Sequence, residues 1–306
     1  MDFSVEECRR LLPELSGLSV DICELKGGIT NRLYRVVSTQ GHDYVLRIYG
    51  AKTEFFIDRE VEMENLRRLE PTNVTPKLVK YLPEHRVTVV QFIPGTPLKN
   101  QDFLNPDLWE KIVRPILAIH NSGVELPYTF NPLAEVKRMY SILQRMTAKY
   151  EEFRIQETIQ MLEAIGGFSA VPTSQYVPCH NDLLAENFIL TNGEGQGKEP
   201  MALIDLEYGG MAPAHYDLAD MFQEILVPRE VEAALLGIYW KKRDVEYHQY
   251  LTDLFKPFPD MYWFLWSLIQ MNISTIRFDY YTYGRLKYEN ALRNIRFLTS
   301  NYGLRI

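Results

Sequence analysis

The chain has 306 residues, with 40 Asp plus Glu against 33 Lys plus Arg, a formal net charge of -7 and an apolar fraction of 46%. These proportions exclude disorder, collagen and coiled coil for most of its length, and at ~150 residues per domain they suggest two domains or one domain with two lobes. Cys8, Cys23 and Cys179 form no disulfide framework and have no metal-site spacing, so a reducing, cytoplasmic setting is expected, and the net acidity argues against nucleic acid as a partner.

MDFSVEECRRLLPEL mixes charged with apolar residues, which predicts a short helix over 4–15 and no signal-peptide core. VDICELKGG, NRLYRVVST and DYVLRIYG are rich in β-branched and aromatic residues and predict an antiparallel meander with glycine turns. Residues 58–69 place Val61, Leu66 and Leu69 among charges, the pattern of an amphipathic helix, and Pro71 and Pro76 end it. KLVKYL and RVTVVQFI predict two more strands, and IPGTP a turn-rich segment. The result is a small, mainly antiparallel N-terminal lobe over residues 1–93. A larger, mainly helical lobe is expected over 94–306. It starts with a helix at Asp107–His120 that contains Pro115, followed by one or two amphipathic helices over 134–166. Two short strands, FILT and PMALIDL, flank NGEGQGKE, which predicts a solvated hairpin loop. From 214 onward the chain is mostly helical, with breaks expected at Pro228, Pro257, Pro259 and Gly284. The most apolar stretch, 261–276, falls short of the ~20 residues of a membrane span and predicts a buried helix.

Chemistry concentrates in CHNDLLAENFIL, residues 179–190, where His180, Asn181, Asp182 and Asn187 share one loop that feeds a strand. The next strand ends at Asp205, followed by Glu207. Adjoining strands would gather Asp182, Asn187 and Asp205 at one edge. Such a set suits phosphoryl transfer: one carboxylate orients and deprotonates a hydroxyl, while an amide oxygen and a second carboxylate hold Mg2+ on the phosphates. Oxygen ligands suit Mg2+ better than Zn2+. Taken alone, HND would be a polar loop of Asx turns. The second carboxylate and the upstream GGITN turn, whose amides could hold phosphate oxygens, favour catalysis. Arg47 either faces solvent on the sheet or pairs with Glu60, Glu62 or Glu64 and points at phosphates.

HxDxxxxN followed by a strand-end aspartate resembles the phosphotransferase branch of the protein-kinase-like fold, an α+β, two-lobed architecture. GGITNRLYRV, YVLRIYG, IDREVEM, TPKLV, QFIPG, HNDLLAENFIL, IDLEYGGMAPAHYDLADMF and WFLWSLIQMNISTIRFDYYTY, in that order, resemble the choline/ethanolamine kinase family over nearly the whole chain. The resemblance implies Asp182 as catalytic base and Asn187 and Asp205 as Mg2+ ligands. It implies Gly28, Thr30 and Asn31 as the phosphate loop, Arg47 as the phosphate-binding cation and Glu62 as its helix partner, with Glu60 the alternative. Gln91, Phe92 and Ile93 would be the hinge that binds adenine. Glu207, Tyr208, Glu224, Trp263, Trp266 and Tyr283, with Asp182, would form the acceptor site. His180 would support the loop and Asp217 would stabilise it.

The expected reaction is ATP-dependent phosphorylation of choline to phosphocholine, with ethanolamine, an aminoglycoside or another small alcohol as the alternative acceptor. A catalytically dead binding protein is the competing class. A quaternary ammonium has no N–H and is held by aromatic faces and carboxylates, and Trp263 and Trp266, at i,i+3, share a helix face. One departure stands out. The position of the family's cation-binding glutamate counts to Gln223, with Glu224 beside it, so either residue could face the pocket. The partner is a small molecule, and the sequence leaves monomer and homodimer open.

Overall fold

The structure is a computed structural model and describes residues 3–25, 31–50, 52–147, 150–191 and 199–306. Gly28 and Thr30, and the loop at 192–198, lie outside the described residues.

The N-terminal lobe is a five-stranded antiparallel sheet formed by β1 (Val20–Leu25), β2 (Asn31–Ser38), β3 (Asp43–Tyr49), β4 (Leu78–Leu82) and β5 (Val87–Gln91), in the order β1-β2-β3-β5-β4. Helix α1 (Val5–Leu11) starts at a capping box between Ser4 and Glu7. The expected helix over 4–15 stops short because Pro13 opens a separate 3-10 turn, Pro13–Leu15. Cys8, Leu11, Leu12 and Leu15 pack with Tyr34, Val36, Leu46, Val87 and Val89. Side chains alternate along a strand, so β3 sends Leu46 into this core and Arg47 to the opposite face, toward α2 (Arg59–Leu69). Asp58 caps α2 by accepting from the amides of Glu60 and Val61.

In the C-terminal lobe the segment expected as a turn at IPGTP is partly β6 (Gly95–Pro97), which pairs with β8 (Phe188–Thr191), itself paired with β9 (Met201–Leu203). Gly95 permits this because a Cβ there would lie 2.5 Å from the Leu190 carbonyl oxygen. Strands β7 (Val177–Cys179) and β10 (Gly210–Ala212) pair antiparallel beside them. Among the described residues, eight α-helices complete the lobe: α3 (Trp109–His120), α4 (Pro132–Gln144), α5 (Ile155–Phe168), α6 (Ala214–Ile225), α7 (Arg229–Tyr239), α8 (Val245–Phe255), α9 (Pro257–Ile273) and α10 (Tyr280–Tyr302). Residues 257–270 of α9 are all buried, because α4, α6, α8 and α10 enclose it. No helix among the described residues is long and apolar enough to cross a membrane.

Gly284 does not break a helix. It lies inside α10 where a Cβ would stand 1.8 Å from Ser267 Oγ, so the glycine sets how closely α10 approaches α9. Pro257 opens α9 and Pro259 sits in its first turn, positions where a missing amide proton costs little.

Candidate active site

Three segments converge between the lobes. The first is the loop after β7. Asn181 adopts φ 62°, and the turn is held from below by α6. Asp217 accepts from the amides of His180 (3.0 Å) and Asn181 (2.7 Å), and Asp220 Oδ2 accepts from the amide of Leu183 (2.8 Å). His120 Nε2 also contacts Asp217, at 2.8 Å. Burial alone would raise the Asp217 carboxyl, but His120 and the loop amides bring it below its ordinary range. The His180 ring contacts the Ile204 carbonyl through Nε2 at 2.8 Å and its pKa is lowered by burial, so it clips the loop to β9 as a neutral ring. Asp182 emerges from this clamp with its carboxyl pushed well above the usual carboxylate range, by burial first and then by Asp220, Asp205, Glu224 and Glu207. Asn187 donates through Nδ2 to the Asp182 carbonyl (2.9 Å), which leaves its Oδ1 for another partner.

The second segment follows β9. Asp205 sits at φ 69°, and its side chain is one-third exposed. Arg47 reaches Glu62 through Nη1 and both Asp205 and Glu207 through Nη2. Of the helix glutamates Glu60, Glu62 and Glu64, Glu62 makes the contact with Arg47. Arg59 joins the same network, donating to Glu62 (2.7 Å), Glu207 (2.9 Å) and Asn31 (3.1 Å). Asn31 in turn donates to Glu207 (3.0 Å). Burial would raise Glu207, but Arg59 and Arg47 hold it below its ordinary range. Asp205 goes the other way: enclosure, Glu207 and Glu62 raise it against the pull of Arg47. Carboxylate oxygens of Glu62, Asp205 and Glu207 all lie within 4.8 Å of one another, a crowding that a divalent cation would relieve. Asp205 and Asn187 Oδ1 offer oxygen donors, the type that suits Mg2+.

At the hinge, the amides of Gln91 and Phe92 are already engaged by the Lys77 (2.9 Å) and Asp43 (3.0 Å) carbonyls. A narrow cavity lined by Thr75, Pro76, Gln91, Phe92, Ile93 and Ala202 lies there.

The third segment is the aromatic end of α9 and the start of α10. Trp263 is 3% exposed and donates its indole N–H to Asp220 Oδ1 (2.8 Å). Its ring meets Tyr208 edge-on at 5.0 Å and Trp266 at 5.9 Å. Trp266 is 2% exposed and is a core side chain. Tyr283 is only partly buried and contacts Glu224 through its hydroxyl at 3.3 Å. Gln223 turns instead to Asn294, at 2.7 Å. Glu224, the neighbour whose helix angle differs by about 100°, is the one of the two that meets Tyr283. Burial, then Glu224, Asp182 and Asp220, raise the Tyr283 phenol.

Sequence reasoning missed Arg59, Asp220 and Lys287. Two of them had a readable signal. Asp217, Asp220 and Glu224 are spaced three and four apart, which places all three on one face of α6. Arg59 stands three residues before Glu62 on the same helix.

The mouse protein named ethanolamine kinase 1 is 26% identical over 331 aligned positions, which span 95% of this chain and 88% of its own length. Two solved structures share the fold: choline kinase LicA from Streptococcus pneumoniae (TM-score 0.79, 23% identity, 95% of this chain and 98% of that one) and an ethanolamine kinase from Plasmodium vivax (TM-score 0.79, 20% identity, 94% and 88%). The family model described as choline/ethanolamine kinase matches residues 22–251. The chain belongs to the choline/ethanolamine kinase family and is an ATP-dependent phosphotransferase whose acceptor is a small alcohol.

Proposed function

We propose that this enzyme phosphorylates the hydroxyl of ethanolamine. One observation carries the acceptor: the Tyr283 hydroxyl lies 3.3 Å from Glu224, a carboxylate on the same helix as the buried Asp220. A primary ammonium has three N–H donors and needs oxygens, whereas a quaternary ammonium needs open aromatic faces. Trp263 and Trp266 are edge-packed and buried, so oxygens outnumber open faces. Relatives named ethanolamine kinase, at 25–27% identity, support the same choice over the choline expected from the aromatic residues. Choline is kept as the second reading because Phe278, 40% exposed and 5.9 Å from the Tyr283 ring, offers one open face beside Glu224.

In this reading Asp182 accepts the hydroxyl proton while the oxygen bonds to the γ-phosphorus and the bond from that phosphorus to the bridging oxygen breaks, releasing ADP. Asn187 and Asp205 would hold Mg2+, which supplies neutralisation of charge on the phosphate oxygens. Arg47, fixed by Glu62, provides a permanent positive charge at the same place, because a guanidinium does not lose its proton. Asn31 and Arg59 keep Glu207 in register beneath it.

The test is ADP release with ATP, Mg2+ and a panel of ethanolamine, choline and neutral alcohols. Glu224→Gln is expected to raise the ethanolamine KM about tenfold or more with a smaller change in kcat, as loss of a charged binding contact does. An unchanged KM would remove Glu224 from the acceptor site.

A further inference from the structure

We propose that Lys287 is a positioning residue for the acceptor: its buried ammonium fixes Glu224 beside Tyr283 and so sets a preference for a primary over a quaternary ammonium. The inference rests on the reading of Glu224 and Tyr283 as the site of the acceptor nitrogen. Lys287 follows Tyr283 by four residues on α10, so the two side chains share a helix face. Its side chain is 4% exposed. Nζ contacts Glu224 Oε1 at 2.6 Å and donates to the Gln223 carbonyl at 2.7 Å, with Asp260 Oδ1 3.9 Å away. It also stands 5.6 Å from the centre of the Tyr283 ring.

The Gln223 carbonyl belongs to the last turn of α6, where Leu226 turns the chain out at φ 56°. Carbonyls of a last turn lack helical partners, and the helix dipole favours a cation there. Lys287 closes that helix end and grips the glutamate next to it in one contact set. Without the ammonium, Glu224 would be a buried carboxylate with no cation beside it, and it would no longer be held in this position. With it, one oxygen is pinned, and Oε2, which accepts from Tyr283 Oη at 3.4 Å, keeps a further lone pair for the acceptor. A primary ammonium gains from a fixed oxygen because its N–H groups are directional. A quaternary ammonium reads only the summed field, from which Lys287 subtracts one negative charge. The same lysine therefore favours ethanolamine and disfavours choline.

The experiment measures kcat and KM for both acceptors, and KM for ATP, in wild type, K287M, K287R, E224Q and E224Q/K287M. In K287M the ethanolamine KM is expected to rise about tenfold while kcat stays within about threefold, the ATP KM is unchanged, and the choline KM does not rise. K287R, which keeps the charge, is expected to recover at least part of the loss. In the E224Q background, K287M is expected to add nothing to the ethanolamine KM, because both changes remove one interaction. Equal KM increases for both acceptors, or an unchanged ratio of their kcat/KM values, would overturn the proposal. If K287M alone does not fold, E224Q against E224Q/K287M decides: a further rise in the ethanolamine KM shows that Lys287 does not act through Glu224. A wild type that prefers choline refutes the acceptor reading separately, since the coupling of Lys287 to Glu224 is read from the variants.

Discussion

Asp182 is a carboxylate held where its charge is disfavoured. Burial and four neighbouring acids raise its pKa, so its folded value lies above the ~3.9 of an unfolded chain. The sign of the linkage is then fixed. The folded state binds a proton that the unfolded state has lost, and ionising Asp182 costs stability as pH rises through the window between the two values. Asp182→Asn is expected to abolish transfer, leave ATP binding intact and raise Tm, by about 2–4 °C for a gain near 1 kcal/mol in a chain of this size. A lower Tm would mean that the charge is better compensated than its surroundings suggest. Turnover should climb with pH through an acid limb above the usual carboxylate range, because only ionised Asp182 can take the proton. A profile that stays flat down to the usual carboxylate range would contradict this. Asp182, Asn187 and Asp205 could be singled out from the sequence because HxDxxxxN and a strand-end aspartate are local patterns. Lys287 was not: its partners Glu224, Gln223 and Asp260 lie on other helices, and nothing in GRLKYEN marks that lysine as buried.

Helix α6 works as the clamp of the catalytic loop. Asp217 and Asp220 hold three loop amides, and the two on Asp217, whose carboxyl is held below its ordinary range, are charge-assisted. Asp217→Ala is expected to cost about 3–5 kcal/mol, because His120 and two buried amides lose their partner. Its pH sign is opposite to that of Asp182. The lowered Asp217 pKa gives stability that is present above its unfolded value and lost as pH falls through its folded one. Urea unfolding of wild type and Asp217→Asn at descending pH checks this, with the difference between them expected to shrink toward acid. On the far side of the pocket, Gly284→Ala should cost about 1–3 kcal/mol and raise the acceptor KM, since a methyl group at Ser267 Oγ pushes Tyr283 and Lys287 away from α6. An unchanged stability would show that Ser267 yields freely. The strands and α2 were legible from alternation and a 3.6 period. Gly284 was misread as a break because sequence shows a glycine but not the helix pressed against it, and 134–166 resolves into α4 and α5.

At the scale of the molecule, one charge network ties the lobes together: Arg47 from β3, Glu62 and Arg59 from α2, and Asp205 and Glu207 from beyond β9. This local arrangement explains why a net charge of -7 says nothing against an anionic nucleotide as substrate. The aromatic excess divides in the same local way: Trp266 is core, Trp263 braces Asp220, and the partly buried Tyr283 meets Glu224. Two-lobed architecture and reaction class were readable from ordered motifs, whereas acceptor choice depends on which side chains are open and which are packed. The decisive measurement is therefore the ratio of kcat/KM for ethanolamine to that for choline, taken with ATP and Mg2+ under identical conditions. A ratio of about ten or more is expected from a pocket richer in oxygens than in open rings. A ratio below one, or no ADP release with either acceptor, would contradict it.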